Sequence, residues 1–240
     1  MNRLLNVVGL ITFATSLFTR AVDPIIPQIA VSLWVEAATA ALLTTAFALP
    51  YAVLQPVLGP IADVFGKARV MIICLFLLML AAFASAAVTS FPVLLCLRVA
   101  SGIVSGGIFP AAMAFAADLA PIGQRQVALS RVLFAGMAGN LLGASIGGIV
   151  SDLIGWRGVF VVIGGIGALA FIVAVLGFRG TGANQAPRTS FKSVPGNYRA
   201  ILAKPRAKVC FGAMGGGLLA GPREPGSERF RRSRRQECTP

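Results

Sequence analysis

Six stretches of this chain, at 4–26, 38–58, 70–88, 93–117, 127–150 and 159–178, are predominantly apolar. Each is near the ~20 residues with which a helix crosses a bilayer, and each is about twice the length of a barrel strand. Within the hydrocarbon a backbone must satisfy its own hydrogen bonds, so runs of this length leave the α-helix as the one solution. The balance of residues agrees, with 57% hydrophobic and only 12% charged against about 25% charged in a soluble domain. The expected fold class is an all-α polytopic membrane protein with six transmembrane helices.

Between the second and third runs lies a polar knot, Gly59-Pro60-Ile61-Ala62-Asp63-Val64-Phe65-Gly66-Lys67-Ala68-Arg69. The flanking runs predict a tight loop at the membrane surface. Gly59 and Gly66 permit close approach or a sharp turn, Asp63 carries charge at a helix end, and Lys67 and Arg69 sit beside the headgroups. The spacing returns at the end of the fifth run as Gly148, Asp152 and Gly155, followed closely by Arg157. One copy falls on each side of the membrane. That pattern predicts two three-helix repeats of inverted topology, a common device for alternating access in transporters.

Loop charges set the orientation, because positively charged loops remain cytoplasmic. Arg3, the pair Lys67 and Arg69, the pair Arg125 and Arg131, and the basic run from 179 to 208 share one side, whereas Arg157 alone lies on the other. The N-terminus is therefore expected in the cytoplasm. The basic start and apolar run at 4–18 have the outline of a signal peptide, but Arg20 and Asp23 occupy the place of a cleavage site and further spans follow. Pro24 and Pro27 are expected to bend or end the outer part of the first helix, and Pro50 and Pro56 fall inside the second.

Several intramembrane residues stand out. Gly139, Gly143 and Gly147, with Gly148 beside them, form a small-residue face suited to close helix packing. Arg98 lies in the fourth run, four residues before Gly102. An arginine there needs a partner or access to water, and snorkelling to the nearby surface is the alternative. Arg20 and Asp23, three apart on one helical face, are expected to neutralise one another; alternatively Asp23 meets a proton or substrate.

Other chemistries have little support. The chain has no histidine, and its four cysteines lack metal-site or disulfide spacing, so neither a metal nor a catalytic site is expected. No phosphate-binding loop or other cofactor motif occurs. The net charge of +13 is concentrated late, since up to residue 178 eight Lys and Arg face five Asp and Glu; no nucleic-acid surface emerges.

The knot, with its pattern G-x-x-x-D-x-x-G-K-x-R, resembles the loop between helices 2 and 3 of the major facilitator superfamily of secondary transporters. Arg98 with Gly102 resembles that family's helix-4 signature, associated with proton coupling. The stretch from Gly139 to Gly148 is similar to its antiporter signature in helix 5, with Ala144 in place of the proline. Pro121 to Ser130 resembles the connection from helix 4 to 5, and Trp156, Arg157 and Phe160 the turn from 5 to 6. The resemblance implies the N-terminal six-helix half of a proton-coupled drug or small-molecule exporter, with substrate bound between two halves and lipid around them. Alternatives are a sugar or metabolite uptake transporter and a non-transporting membrane scaffold. Gly102 to Gly106 also faintly resembles the motif of an intramembrane serine protease, but the spacing is wrong and a histidine base is missing.

Beyond the half-transporter at 1–178, residues 179–208 read as a basic cytoplasmic linker. A seventh helix is expected to begin at 209 and to abort at 220, short of a span. The charge-dense tail at 221–240 is expected to be disordered, and the abrupt change suggests a truncated or shifted reading frame in a chain inactive by itself.

Overall fold

The computed structural model describes residues 2–179, without the side chains of Pro56, Val57 and Pro60. The expectations for the linker beyond 179, the aborted helix at 209–220 and the tail at 221–240 lie outside the described residues. Among the described residues the secondary structure is helical, with no strand.

α1 (Asn2–Arg20) leads through a 3-10 turn at Asp23–Ile25 into α2 (Ile26–Ser32). Pro24 and Pro27 fall in the first turns of these elements, where a missing N–H leaves no bond unmade. They bend the run without ending it. α3 (Ala37–Phe65) contains Pro50 and continues to Phe65. The knot is thus mostly not a loop: Gly59 to Phe65 are the last turns of α3, and Gly66 alone leaves the helix, at φ 95°, before α4 (Lys67–Ala87) begins. The fourth run is two helices, α5 (Phe91–Ser105) and α6 (Ile108–Leu119). Pro110 explains the break, because its ring would collide with the carbonyl of residue 106 in a continuous helix.

α7 (Arg125–Phe178) is drawn as one element of 54 residues. At ~1.5 Å per residue it would be about 80 Å long, far beyond the ~30 Å of hydrocarbon. Gly155, at φ 77° and ψ 171°, breaks it into two limbs. By length and apolarity the described residues contain five membrane-crossing runs, the last of which holds both limbs.

The core forms two layers. One gathers Val8, Met71, Phe115, Val132 and Phe178. The other gathers Phe18, Phe47, Leu78, Leu94 and Phe160. α7 starts in the first layer with Ala128 and Val132, reaches the second at Trp156 and Phe160, and ends in the first at Ala174 and Phe178. It therefore doubles back at Gly155. Outward-facing Leu49, Phe134, Leu141 and Leu153 are exposed, as expected of surfaces that meet lipid or another membrane segment. Hydroxyls inside the bundle return to their own helices: Thr12, Thr15, Ser85, Ser101 and Ser105 each donate to the carbonyl four residues earlier, which removes the penalty of a bare hydroxyl in an apolar medium.

Two helix pairs approach backbone to backbone. Along α1 and at the residue that follows it, the carbonyls of Phe13, Leu17 and Ala21 lie against Gly139, Gly143 and Gly147 of the first limb of α7. Along α3 the carbonyls of Phe47 and Tyr51 lie against Gly102 and Gly106. A Cβ at Gly143 would sit 2.7 Å from the Leu17 oxygen, whereas one at Gly148 would meet nothing within 4 Å. Overpacking of a close-packed contact costs ~1–3 kcal/mol. Gly143→Ala is therefore expected to lower the thermal midpoint of the purified protein by several degrees, and Gly148→Ala to leave it unchanged. Equal midpoints for the two variants would contradict the packing described.

Candidate functional site

Two polar assemblies interrupt the apolar bundle, one at the membrane face bearing the knot and one buried between the helices. At the knot, Lys67 Nζ lies 3.1 Å from Asp63 Oδ1 and also meets Asp118 Oδ2. Each residue opposes its own helix. Asp63 and Asp118 sit at the C-terminal ends of α3 and α6, and Lys67 opens α4, so each charge is unfavourable against its helix dipole. Their meeting cancels the mismatch and ties three helix ends together. Both carboxylates are exposed although Lys67 is largely covered, so solvent still screens each pair, which contributes about 0–1 kcal/mol. Such a clasp is strong enough to bias a conformation and weak enough to open. Arg69 lies exposed beyond it.

The second assembly centres on Arg98. Its side chain does not snorkel: it is only 1% exposed. Gly102, one turn later on α5, lets the backbone of α5 touch that of α3 at Phe47, which brings Arg98 to the Phe47 ring. The guanidinium carbon is 5.1 Å from the centroid of that ring and 5.4 Å from that of Phe18, within the range of cation–π attraction. Its Nε and Nη1 are buried with no hydrogen-bond partner among the described residues. Burying an unmet donor costs ~1–3 kcal/mol, and more for a charged group.

Arg98 lines a cavity of about 310 Å³ together with Arg20, Asp23, Thr44, Tyr51 and Asn140. Arg20 Nη1 meets Asp23 Oδ2 at 3.1 Å, and the Thr44 hydroxyl donates to Asp23 Oδ1 at 3.1 Å. Both oxygens of Asp23 are thus engaged. Arg20, Asp23 and Arg98, separate in the sequence, share this one space. A wider open groove of about 770 Å³ between α1 and the first limb of α7 is mainly apolar, with Asn6, Ser130 and Arg131 as its polar side chains. Among the described residues no cluster of His, Cys, Asp or Glu has the makings of a metal site.

The second copy of the knot pattern lies at the opposite end of the bundle. Gly66 and Gly155 are the two glycines with positive φ among the described residues, and they hold equivalent places in the two motifs. The surroundings differ. Asp152 is exposed, and Arg157 donates through Nη2 to the carbonyl of Val88, at the end of α4, at 3.1 Å. Its guanidinium also stacks on Trp156, 4.3 Å from the ring centroid. Gln28 Nε2 reaches the Ser151 carbonyl at 3.4 Å. Gly139, Gly143 and Gly147 serve the α1 contact, and Gly148 stands apart from it. Ser105 is committed to the Ser101 carbonyl.

Sequence reasoning passed over Phe18, Phe47, Thr44, Tyr51 and Asn140. Thr44, Tyr51 and Asn140 are polar groups inside apolar runs, a signal available beforehand. The two phenylalanines carry no such mark.

Long apolar helices with an arginine buried among them define a multi-pass membrane protein. The chain belongs to the Major Facilitator Superfamily, whose family model matches residues 8–222. It is 30% identical over 176 residues to the quinolone resistance protein NorA of Staphylococcus aureus, covering 73% of this chain and 45% of that protein. It is 27% identical over 161 residues to the uncharacterized MFS-type transporter YfhI of Bacillus subtilis, covering 67% of this chain and 41% of the relative. The chain thus spans less than half the length of the curated relatives it matches. Its fold is similar to that of a bacterial homologue of the human lysosomal transporter Spinster, solved in an inward-facing, unoccupied conformation. That match has a TM-score of 0.68 at 21% identity and covers 84% of this chain and 49% of that one.

Positive φ at Gly66 and Gly155 imposes a backbone that side-chain-bearing residues adopt at a cost of ~1–3 kcal/mol. Gly66→Ala and Gly155→Ala are each expected to destabilise the purified protein by about that amount in thermal melts. Gly59→Ala, where a Cβ would find its nearest neighbour at 3.8 Å, is expected to be neutral. A tolerated Gly155→Ala would mean that α7 does not turn at that residue.

Proposed function

We propose that these helices form the N-terminal half of a proton-coupled exporter of small molecules, with six crossings arranged as two inverted three-helix repeats. The observation that carries this reading is Arg98, buried at the wall of a cavity that it shares with Arg20 and Asp23: a charge inside a membrane bundle is costly and marks a path for ions or substrate. Similarity to NorA, named for quinolone resistance, supports efflux as the direction and drug-like compounds as the cargo. Positive charge on the knot side supports a cytoplasmic N-terminus.

In this reading the Lys67 clasp is the gate on the cytoplasmic face. It holds the ends of α3, α4 and α6 together in one state and parts in the other. The Arg98 cavity supplies one wall of the substrate path, and the second wall comes from a further six-helix unit, so transport belongs to an assembly in which that unit is present. Arg98 acts in coupling by favouring negative charge in the cavity, and Asp23, held by Arg20 and Thr44, is the carboxylate placed to exchange a proton.

Two variants in such an assembly test the reading. Asp63→Asn keeps the shape and removes one charge of the clasp, so proton-driven transport in vesicles is expected to fall several-fold with insertion and thermal stability preserved. Arg98→Lys keeps the charge but loses the planar fork of donors, and transport is expected to lose its dependence on the proton gradient. Wild-type, gradient-dependent transport by either variant would remove the role assigned to that residue.

A further inference from the structure

The connection from α2 to α3 is held in a conformation that its sequence disfavours. α2 closes with the Val35 N–H donating to the carbonyl of Ala30 at 3.0 Å and the Trp34 N–H to that of Val31 at 3.4 Å. This paired closure puts one residue in the left-handed region, a place that glycine usually fills because a Cβ is strained there. Here the residue is Trp34, at φ 54°, the one residue other than glycine with positive φ among the described residues. Backbone strain of this kind clusters at positions that serve a function.

That function lies outside the packed core. Trp34 is 94% exposed and Val31, one turn back, is 78% exposed, so the two form an apolar tip. The bundle holds this tip at its Gly155 end, because Gln28 of α2 reaches the Ser151 carbonyl. Ser32 and Glu36 beside it are exposed as well. α3 then begins at Ala37 and carries exposed Leu42, Leu49 and Val53. The chain thus passes from an apolar tip with polar flanks directly into a span with an apolar outer stripe. That mixture decides between three surroundings. Bulk water would leave the indole and Val31 uncovered, and hydrocarbon would strand the Glu36 carboxylate and the indole N–H. The headgroup layer accepts both, with the ring toward the acyl chains and its N–H toward polar groups.

We propose that Trp34 is a membrane anchor. Its indole lies in the headgroup layer at the Gly155 end of the bundle and, with Val31, fixes the depth at which the α2–α3 connection sits. Glycine would close α2 with less strain but would leave the connection without this hold. The inference goes beyond the transport reading and does not depend on it.

The test is tryptophan fluorescence of the full chain in phosphatidylcholine nanodiscs. The chain has two tryptophans, and the other, Trp156, is 5% exposed. Trp156→Phe leaves Trp34 as the sole reporter; subtracting the Trp34→Phe signal from that of the unmodified protein gives the same reading with Trp156 untouched. Three quenchers probe depth: phosphatidylcholine spin-labelled at the headgroup, phosphatidylcholine spin-labelled at the chain end, and aqueous iodide. The headgroup label is expected to quench Trp34 several-fold more than the chain-end label, and iodide to quench it several-fold less than it quenches free N-acetyltryptophanamide. Iodide quenching equal to that of the free amide overturns the proposal, because the ring then stands in water. Stronger quenching by the chain-end label overturns it in favour of the hydrocarbon. Quenching by none of the three overturns it in favour of a protein contact, such as a second copy of the chain. Trp34→Gly provides a further check, since it relieves strain and removes no internal packing: the thermal midpoint in detergent is expected to stay the same or rise. A midpoint lowered by several degrees would make Trp34 a packing residue and would also overturn the anchor.

Discussion

Glycine laid against a neighbouring helix's carbonyl is the contact on which the remaining architecture depends. Lipid is as apolar as leucine, so helices in a bilayer gain little from hiding hydrocarbon and associate through close van der Waals packing. Gly139, Gly143 and Gly147 grant this to α1, and Gly102 and Gly106 grant it to α3. The polar cavity is a by-product of the same approach. Gly102 draws α5 onto the Phe47 backbone, so Arg98, one turn earlier, has nowhere to extend except between Phe47 and Phe18. The four-residue spacing of arginine and glycine thus has a mechanical meaning independent of any role in coupling.

The Lys67 clasp is built on a different principle. Each of its three charges is misplaced on its own helix, and their assembly is favourable only while α3, α4 and α6 stay together. Separation returns each group to an unfavourable dipole, although water compensates, because all three lie near the surface. Energies of this size do not hold the bundle together. They can be made and lost while the bundle stays intact.

The helical class, the limits of most spans and the two glycine motifs were legible in the sequence because they follow from apolar length and spacing. The doubling back at Gly155 was legible too, through its likeness to the knot at Gly66. The knot itself was misread as a loop: polar residues suggest a connection, yet Asp63 lies within α3 because helix can extend through the headgroup layer until a residue at positive φ stops it. The fourth span was read as one helix, although the effect of Pro110 falls four residues upstream, at Gly106 and Gly107, where the helix breaks. The surroundings of Arg98 could not be read at all. Its partners come from α1 and α3, and their phenylalanines are indistinguishable in sequence from those facing lipid.

The two glycine-terminated knots are alike in backbone and unlike in chemistry. At Gly66 three ionised side chains make the closure; at Gly155 the contacts of Arg157 and Gln28 end on main-chain carbonyls. Free charges attract over a Debye length of about 8 Å at physiological ionic strength and are weakened by added electrolyte, whereas hydrogen bonds to carbonyls respond much less. Salt and the charge of nearby lipid headgroups would therefore act unequally on the two ends. The electrolyte bathing the Lys67 end thus sets the strength of that closure, and the Arg157 end stays largely indifferent to it.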